Sequence, residues 1–322
     1  MPPRLMFSAI SKQFGGYTAL HPLSLTLEDG EILGFLGPNG AGKTTAIHLA
    51  LGFLRPSSGS GSLLGMPFGD AEARSRLGFV ADVPVFFSES GFRSVELAAR
   101  LNGVNDPQLA REIRDLLGAV GLPQDEANAR KDARQFSRGM QQRLALAQAL
   151  INDPELLILD EPAAALDPAG VQQVRELLRK ARHAGKSIFF SSHQLTEVEQ
   201  ICDRIAFLHQ GRLLRCGSLK ELQSESDRVE MELRGISVAE VNRIYPAIDA
   251  GINTGAAAGA NPGSIRISIP ATEQRRVIEA VWSAGGELVS LSPMRRRLEE
   301  LFLEWSSATA APDSARDAGG GA

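Results

Sequence analysis

The run Gly37-Pro38-Asn39-Gly40-Ala41-Gly42-Lys43-Thr44-Thr45 restricts what this chain can fold into more than any other segment. It fits the pattern G-x-x-x-x-G-K-[ST]. Before it stands Glu31-Ile32-Leu33-Gly34-Phe35-Leu36, a short apolar run of the buried-strand type, and after it Thr44 to Leu54 reads as a helix. That strand–loop–helix context separates the run from an ordinary Gly-rich turn. The glycines let backbone N–H groups converge on phosphate oxygens without Cβ clashes, and the helix N-terminus adds partial positive charge. In such a loop Lys43 reaches the β and γ phosphates, and the Thr44 hydroxyl is placed to hold Mg2+.

The rest of the first 222 residues agrees with a layered α/β domain. Leu5, Phe7 and Ala9 share one parity, and Leu23, Leu25 and Leu27 alternate with polar residues, as half-buried strands do. From Val95 to about Ile151 the periodicity is mostly helical. Leu156-Leu157-Ile158-Leu159, Ser187 to Ser191 and Ile205 to Leu208 read as buried strands, with an amphipathic helix between the first two and a hairpin turn at Gln210-Gly211. Asp160 and Glu161 close the first of these strands. Asp160 can bind Mg2+ through its water shell, and Glu161 can polarise an attacking water as a general base. Acids after apolar strands are also common helix caps; the phosphate loop is what makes this pair informative.

Further motifs resemble those of ATP-binding cassette (ABC) ATPases. Arg134-Gln135-Phe136-Ser137-Arg138-Gly139-Met140-Gln141-Gln142-Arg143 resembles the family's signature motif. Ala163-Ala164-Ala165-Leu166-Asp167-Pro168 resembles its D-loop, and Ser191-Ser192-His193 its switch histidine. With the phosphate loop and the Asp160-Glu161 strand these motifs keep the family's order across residues 1 to about 222. The resemblance implies an α/β P-loop NTPase fold of ABC type, with a mixed, largely parallel sheet, an N-terminal antiparallel β subdomain and a helical subdomain at about 85–153. It implies ATP and Mg2+ as ligands, with Gly37 to Thr45 on the nucleotide and Thr44 and Asp160 on the metal. Lys43, Glu161 and His193 would be the catalytic residues, His193 holding the γ phosphate and the attacking water together with Glu161. Ser137, which also reads as a helix cap, Gly139 and Asp167 would act across a dimer in which two cassettes sandwich two ATP molecules head to tail.

An adenine ring needs a stacking partner. Alignment of Lys12-Gln13-Phe14-Gly15 with the family's aromatic loop favours Phe14, with Tyr17 second and a core role for Phe14 as the other reading. Two positions depart from the family pattern. Asp82 stands where the Q-loop glutamine is expected, able to bind Mg2+ or water but adding charge beside Asp160 and Glu161. Arg138 and Met140 give the signature its Ser-x-Gly-Met form, which resembles exporter cassettes. Val83, Val85, Phe86, Phe87 and Phe92 fit a groove for a membrane-subunit helix and fit a subdomain core equally well.

At 322 residues the chain has room for two domains. Residues 223–227 read as a linker. Residues 228–306 read as a small α+β domain with the ferredoxin-like order β-α-β-β-α-β, followed by a helix from Arg295 to Trp305. Residues 307–322 read as a disordered tail. Two cysteines exclude a disulfide scaffold, and His21, His48, His183 and His209 lack metal-ligand spacing. A net charge of −4 argues against a dedicated nucleic-acid binder. Without an apolar run of signal-peptide or membrane-span length, the expectation is a cytoplasmic protein held at the inner face of the cell membrane by a separate permease. The function implied is the ATP-hydrolysing motor of an exporter. A non-transport ABC ATPase and a low-turnover regulatory subunit are the alternatives.

Overall fold

The computed structural model describes residues 2–104, 106–122, 131–223, 225–245, 253–254, 264–295 and 298–309. It divides into two compact units, Met1–Leu219 with Trp305–Ala322, and Lys220–Glu304.

The first unit begins with β1 (Leu5–Phe14), β2 (Tyr17–Leu27) and β3 (Ile32–Leu36), then α1 (Lys43–Ala50), β4 (Ser58–Leu63), β5 (Met66–Pro67), α2 (Ala71–Ser75) and β6 (Leu77–Val80). Three helices follow, α3 (Gly91–Leu101), α4 (Leu109–Ala119) and α5 (Arg138–Leu150). The chain then runs through β7 (Leu156–Asp160), α6 (Pro168–His183), β8 (Ser187–Ser192), α7 (Leu195–Ile201), β9 (Arg204–His209) and β10 (Arg212–Ser218).

β2-β1-β4-β5 form an antiparallel sheet, and β10-β9-β3-β8-β7-β6 form the main sheet, in which only β10 runs antiparallel to its neighbour. Gln210 and Gly211 both have positive φ, which matches the twist a two-residue hairpin needs. The sheets share a core. Phe189 packs between Phe7 and Phe35, at ring-centroid distances of 6.4 and 5.3 Å, and Leu33, Ile47, Ile158 and Leu208 fill the space around them. Each such side chain contributes about 1.5–3 kcal/mol on burial, so β3, which leads into the phosphate loop, is anchored in this core. α3, α4 and α5 pack on one another as a helical layer; residues 123–130 of the expected helical subdomain lie outside the described residues.

The expected parity of β1 fails at one point. Ala9 has a φ of 46° and turns outward at a bulge between Phe7 and Ile10, and Ile10 takes the inward position instead. The strand β4, Ser-Gly-Ser-Gly-Ser-Leu, has little intrinsic preference for extended structure. It forms by pairing with β1, and Gly61 leaves room for the ring of Phe68.

The second unit holds β11 (Glu225–Arg234), α8 (Val238–Ile244), β12 (Asn253–Thr254), β13 (Ser264–Pro270), α9 (Gln274–Ser283) and β14 (Glu287–Arg295). Its sheet order is β12-β13-β11-β14, all antiparallel, the ferredoxin-like arrangement. Met231, Leu233, Ile267, Ile269, Val241 and Val281 form its core. A reciprocal Ser237–Glu240 box caps α8.

Three expectations change here. The polar stretch 223–227 is not a linker throughout, because β11 starts at Glu225, where it pairs with Arg295. The final helix, α10 (Leu298–Thr309), starts later than Arg295 and continues through 307–309, so those residues are not a disordered tail. Residues 310–322, Arg296, Arg297 and Gly255 to Gly259 lie outside the described residues. Among the described residues, no helix is long and apolar enough to cross a membrane.

Candidate functional site

The carboxyl ends of four parallel strands meet on one side of the main sheet, the position where open α/β sheets bind ligands. β3 leads into the phosphate loop, β6 into Asp82, β7 into Asp160 and Glu161, and β8 into His193. In-register pairing places Asp160 opposite Ser191 and Leu36 opposite Ser192. A cleft of about 490 Å³ opens there, lined by Phe14, Tyr17, Ala19, the loop from Pro38 to Thr45, Asp82 and Glu161.

The loop is built for an anion. Pro38, Asn39 and Gly40 are exposed at its rim. Its base is tied down by Gly37 N–H donating to Ser192 O at 3.2 Å and Gly211 N–H donating to Ala41 O at 2.8 Å. Gly42 precedes α1 with a φ of 103°, and a Cβ there would stand 2.7 Å from Ala19 O, so only glycine fits. No side chain caps α1 and no acid lies in its first turn, which leaves its N-terminal N–H groups for a ligand.

Lys43 is buried. Its Nζ donates to Gly37 O at 2.6 Å and to Pro38 O at 3.3 Å, and pairs with Glu161 Oε1 at 3.1 Å. Glu161 Oε2 lies 2.8 Å from His193 Nδ1. Glu161 has a φ of 50°, a left-handed conformation that costs a non-glycine residue on the order of 1 kcal/mol. Its own N–H, donating to Ser191 Oγ at 3.0 Å, helps hold that conformation. Asp160 accepts from Thr44 Oγ1 at 2.8 Å through one oxygen and from Ser191 Oγ at 2.5 Å through the other. Partial burial of the Asp82 carboxyl, and then the charges of Asp160 and Glu161, raise its pKa above the ordinary aspartate value, although the residue as a whole is open to solvent.

Phe14 and Tyr17 are 46% and 62% exposed at the cleft mouth, so the core reading of Phe14 is wrong; Lys12 Nζ lies 4.9 Å from the Phe14 ring centre. Thr45 is half-buried in the first turn of α1.

Ser137, Gly139 and Asp167 do not line this cleft. Ser137 Oγ accepts from Met140 N–H at 3.2 Å and caps α5, while Asp167 Oδ1 accepts from Gly170 N–H at 2.8 Å and caps α6. A Cβ on Gly139 would come within 3.3 Å of Ala165 O, so the signature helix start and the loop before α6 adjoin. The apolar group after Asp82 divides. Val83, Val85 and Phe87 are exposed, Phe92 is half-buried and Phe86 is buried. A small pocket beside them is lined by Val85, Phe87, Leu97 and Leu101 among others.

A family model described as ABC transporter matches residues 20–164. An uncharacterized ABC transporter ATP-binding protein of Nostoc sp. is 49% identical over 88% of this chain and 82% of its own length. This chain belongs to the ABC transporter ATP-binding proteins. A bacitracin transport ATP-binding protein of Bacillus licheniformis is 36% identical over 64% of this chain and 66% of its own length. The solved structure of an ATP-binding subunit of an ABC transporter superposes with a TM-score of 0.63 at 28% identity, covering 68% of this chain and 91% of that one.

The residues present fit the ligands of such a cassette. The loop offers N–H groups and one buried cation, the rim offers exposed aromatic rings, and Thr44 with Asp160 forms an all-oxygen pair suited to Mg2+. Glu197 escaped the sequence reading. It is a buried carboxylate on α7 whose Oε2 accepts from Ser192 Oγ at 2.8 Å. Nothing in the polar helix Leu195–Ile201 marks one of its two glutamates as buried.

Proposed function

We propose that this ABC transporter ATP-binding subunit hydrolyses ATP and that two copies close head to tail around two nucleotides to drive a separate membrane permease. The observation that carries this reading is the contact of Glu161 with both Lys43 and His193 beside an anion-binding loop. Gly37 to Thr45 bind the phosphates, and Lys43 exchanges its carbonyl and carboxylate partners for the β and γ oxygens. Phe14 stacks on the adenine, with Tyr17 beside it. Thr44 and Asp160 would hold Mg2+, with Asp82 close by; the ion, when bound, offsets phosphate charge. Glu161 accepts a proton from water as its oxygen attacks the γ phosphorus in line, and ADP leaves with phosphate. His193 holds Glu161 and the γ phosphate in place. Ser137 and Gly139 of one copy, with Asp167 at the interface, complete the site of the other.

Export is favoured by similarity to bacitracin and lantibiotic transport ATP-binding proteins and by the Ser-x-Gly-Met signature. The exposed side chains of Val83, Val85 and Phe87 are the proposed permease contact, which would hold the protein at the inner membrane face. Asp82 supports one other reading, a low-turnover regulatory subunit, because it adds negative charge where a Q-loop glutamine is neutral.

Glu161→Gln decides between them. The variant should bind ATP, lose at least about a hundredfold in turnover and accumulate as an ATP-dependent dimer by size-exclusion chromatography. Wild-type protein that hydrolyses no ATP, even with its permease, would sink the motor reading.

A further inference from the structure

Glu197 costs the fold something that packing does not return. It is 6% exposed, and among the described residues its Oε1 is buried without a hydrogen-bond partner. A buried carboxyl oxygen left without a hydrogen bond carries a desolvation cost that nothing offsets. The other Glu197 oxygen, Oε2, accepts from Ser192 Oγ at 2.8 Å. That hydroxyl also accepts from Gln194 N–H at 2.9 Å, and the Ser192 carbonyl accepts from Gly37 N–H at 3.2 Å. The two residues flanking His193 are therefore fixed through one oxygen, and Glu197 sets where that oxygen points. No side chain caps α7. α7 itself is a fixed platform. A Cβ on Gly34 of β3 would stand 2.3 Å from Val198 Cγ1, so the helix and the strand meet where only glycine leaves room. Burial, and then the charge of Glu161, push the Glu197 pKa above the ordinary glutamate value, against the hydrogen bond from Ser192 and the charges of His193 and Arg175.

We propose that Glu197 is a positioning residue for His193: through Ser192 Oγ it holds the imidazole against the Glu161 carboxylate. This deepens the reading of the site as an ATPase and rests on it for the kinetic part of the test only. The Ser192–Glu197 bond is expected to act on His193 before any nucleotide is turned over.

The test uses the full-length protein with its five histidines isotopically labelled, and His193→Ala assigns the His193 signal. Glu197→Ala and Ser192→Ala should each shift the His193 imidazole resonance while the other four stay in place. Glu197→Gln, which keeps an acceptor for Ser192, should leave it at the wild-type position. In hydrolysis, Glu197→Ala should lower kcat about tenfold with KM for ATP unchanged, and should cost nothing further in a His193→Ala background. An unmoved His193 resonance in both alanine variants overturns the proposal. So does a common shift of all five histidines, which would mean general loosening. If Glu197→Ala does not fold, Ser192→Ala with Glu197→Gln carries the same decision. A wild type without ATPase activity would remove the functional reading but leave the resonance test intact.

Discussion

The phosphate-loop cleft and the signature surface belong to the same chain and are finished to different degrees. In the cleft the reactive groups already meet. Lys43 touches Glu161, Glu161 touches His193, and Asp160 is held from both sides by Thr44 and Ser191. At the signature surface, Ser137 and Asp167 cap their own helices, and Gly139 sits on a helix start where a Cβ would meet Ala165 O at 3.3 Å and the Leu166 side chain at 3.4 Å. The resemblance of this motif to the ABC signature adds a constraint from outside the chain. Here that constraint is read as the nucleotide of a second copy.

Two glycine substitutions would break the comparison if it is wrong. Gly42→Ala forces a Cβ to 2.7 Å from Ala19 O at a φ of 103°. It should cost about 2 kcal/mol or more in unfolding free energy and abolish nucleotide binding. Gly139→Ala has a nearest contact of 3.3 Å and gains helix propensity. It should leave stability within about 1 kcal/mol and ATP binding to the monomer intact, yet cut hydrolysis more than about tenfold by crowding the opposite phosphate. Denaturant unfolding and turnover measured on the same preparations check both. Equal destabilisation by the two changes would erase the distinction. A smaller effect sharpens it at the cleft mouth. Phe14→Ala should weaken ATP binding about fivefold or more, as loss of a base-stacking ring does, and Tyr17→Ala by less. The reverse order, in a titration with fluorescent nucleotide, would reassign the stacking ring.

What the sequence makes legible depends on whether spacing along the chain carries the information. Gly37 to Thr45 is contiguous, so strand, loop and helix are written in one stretch. Asp160 and Glu161 follow an apolar strand directly. In the second unit the strands at 228–233 and 264–269 are legible as apolar alternation, whereas most of the weak strand expected near 248–254 lies outside the described residues. The failures have physical causes. Ala9 leaves its parity because a bulge inserts a residue, and β4 is a strand only because β1 pairs with it. Glu225 belongs to a strand because its partner Arg295 lies 70 positions along the chain. Glu197 lies on a helix packed against β3, β8 and α6, contacts that no local pattern in a seven-residue helix encodes.

The central claim is that each hydrolytic site takes residues from two chains. It is tested most directly in mixed dimers, one copy carrying Ser137→Phe and the other Lys43→Ala. If the sites are shared, both changes fall on the same composite site. The second site, built from the intact loop of the Ser137→Phe copy and the intact signature of the Lys43→Ala copy, keeps one functional set. The account predicts that such dimers retain about half of wild-type turnover if the two sites fire independently, whereas dimers with both changes on one copy have both sites damaged and lose nearly all of it. The opposite pattern, with activity kept when both changes share a copy and lost when they are separated, would place each site within a single chain and contradict the account.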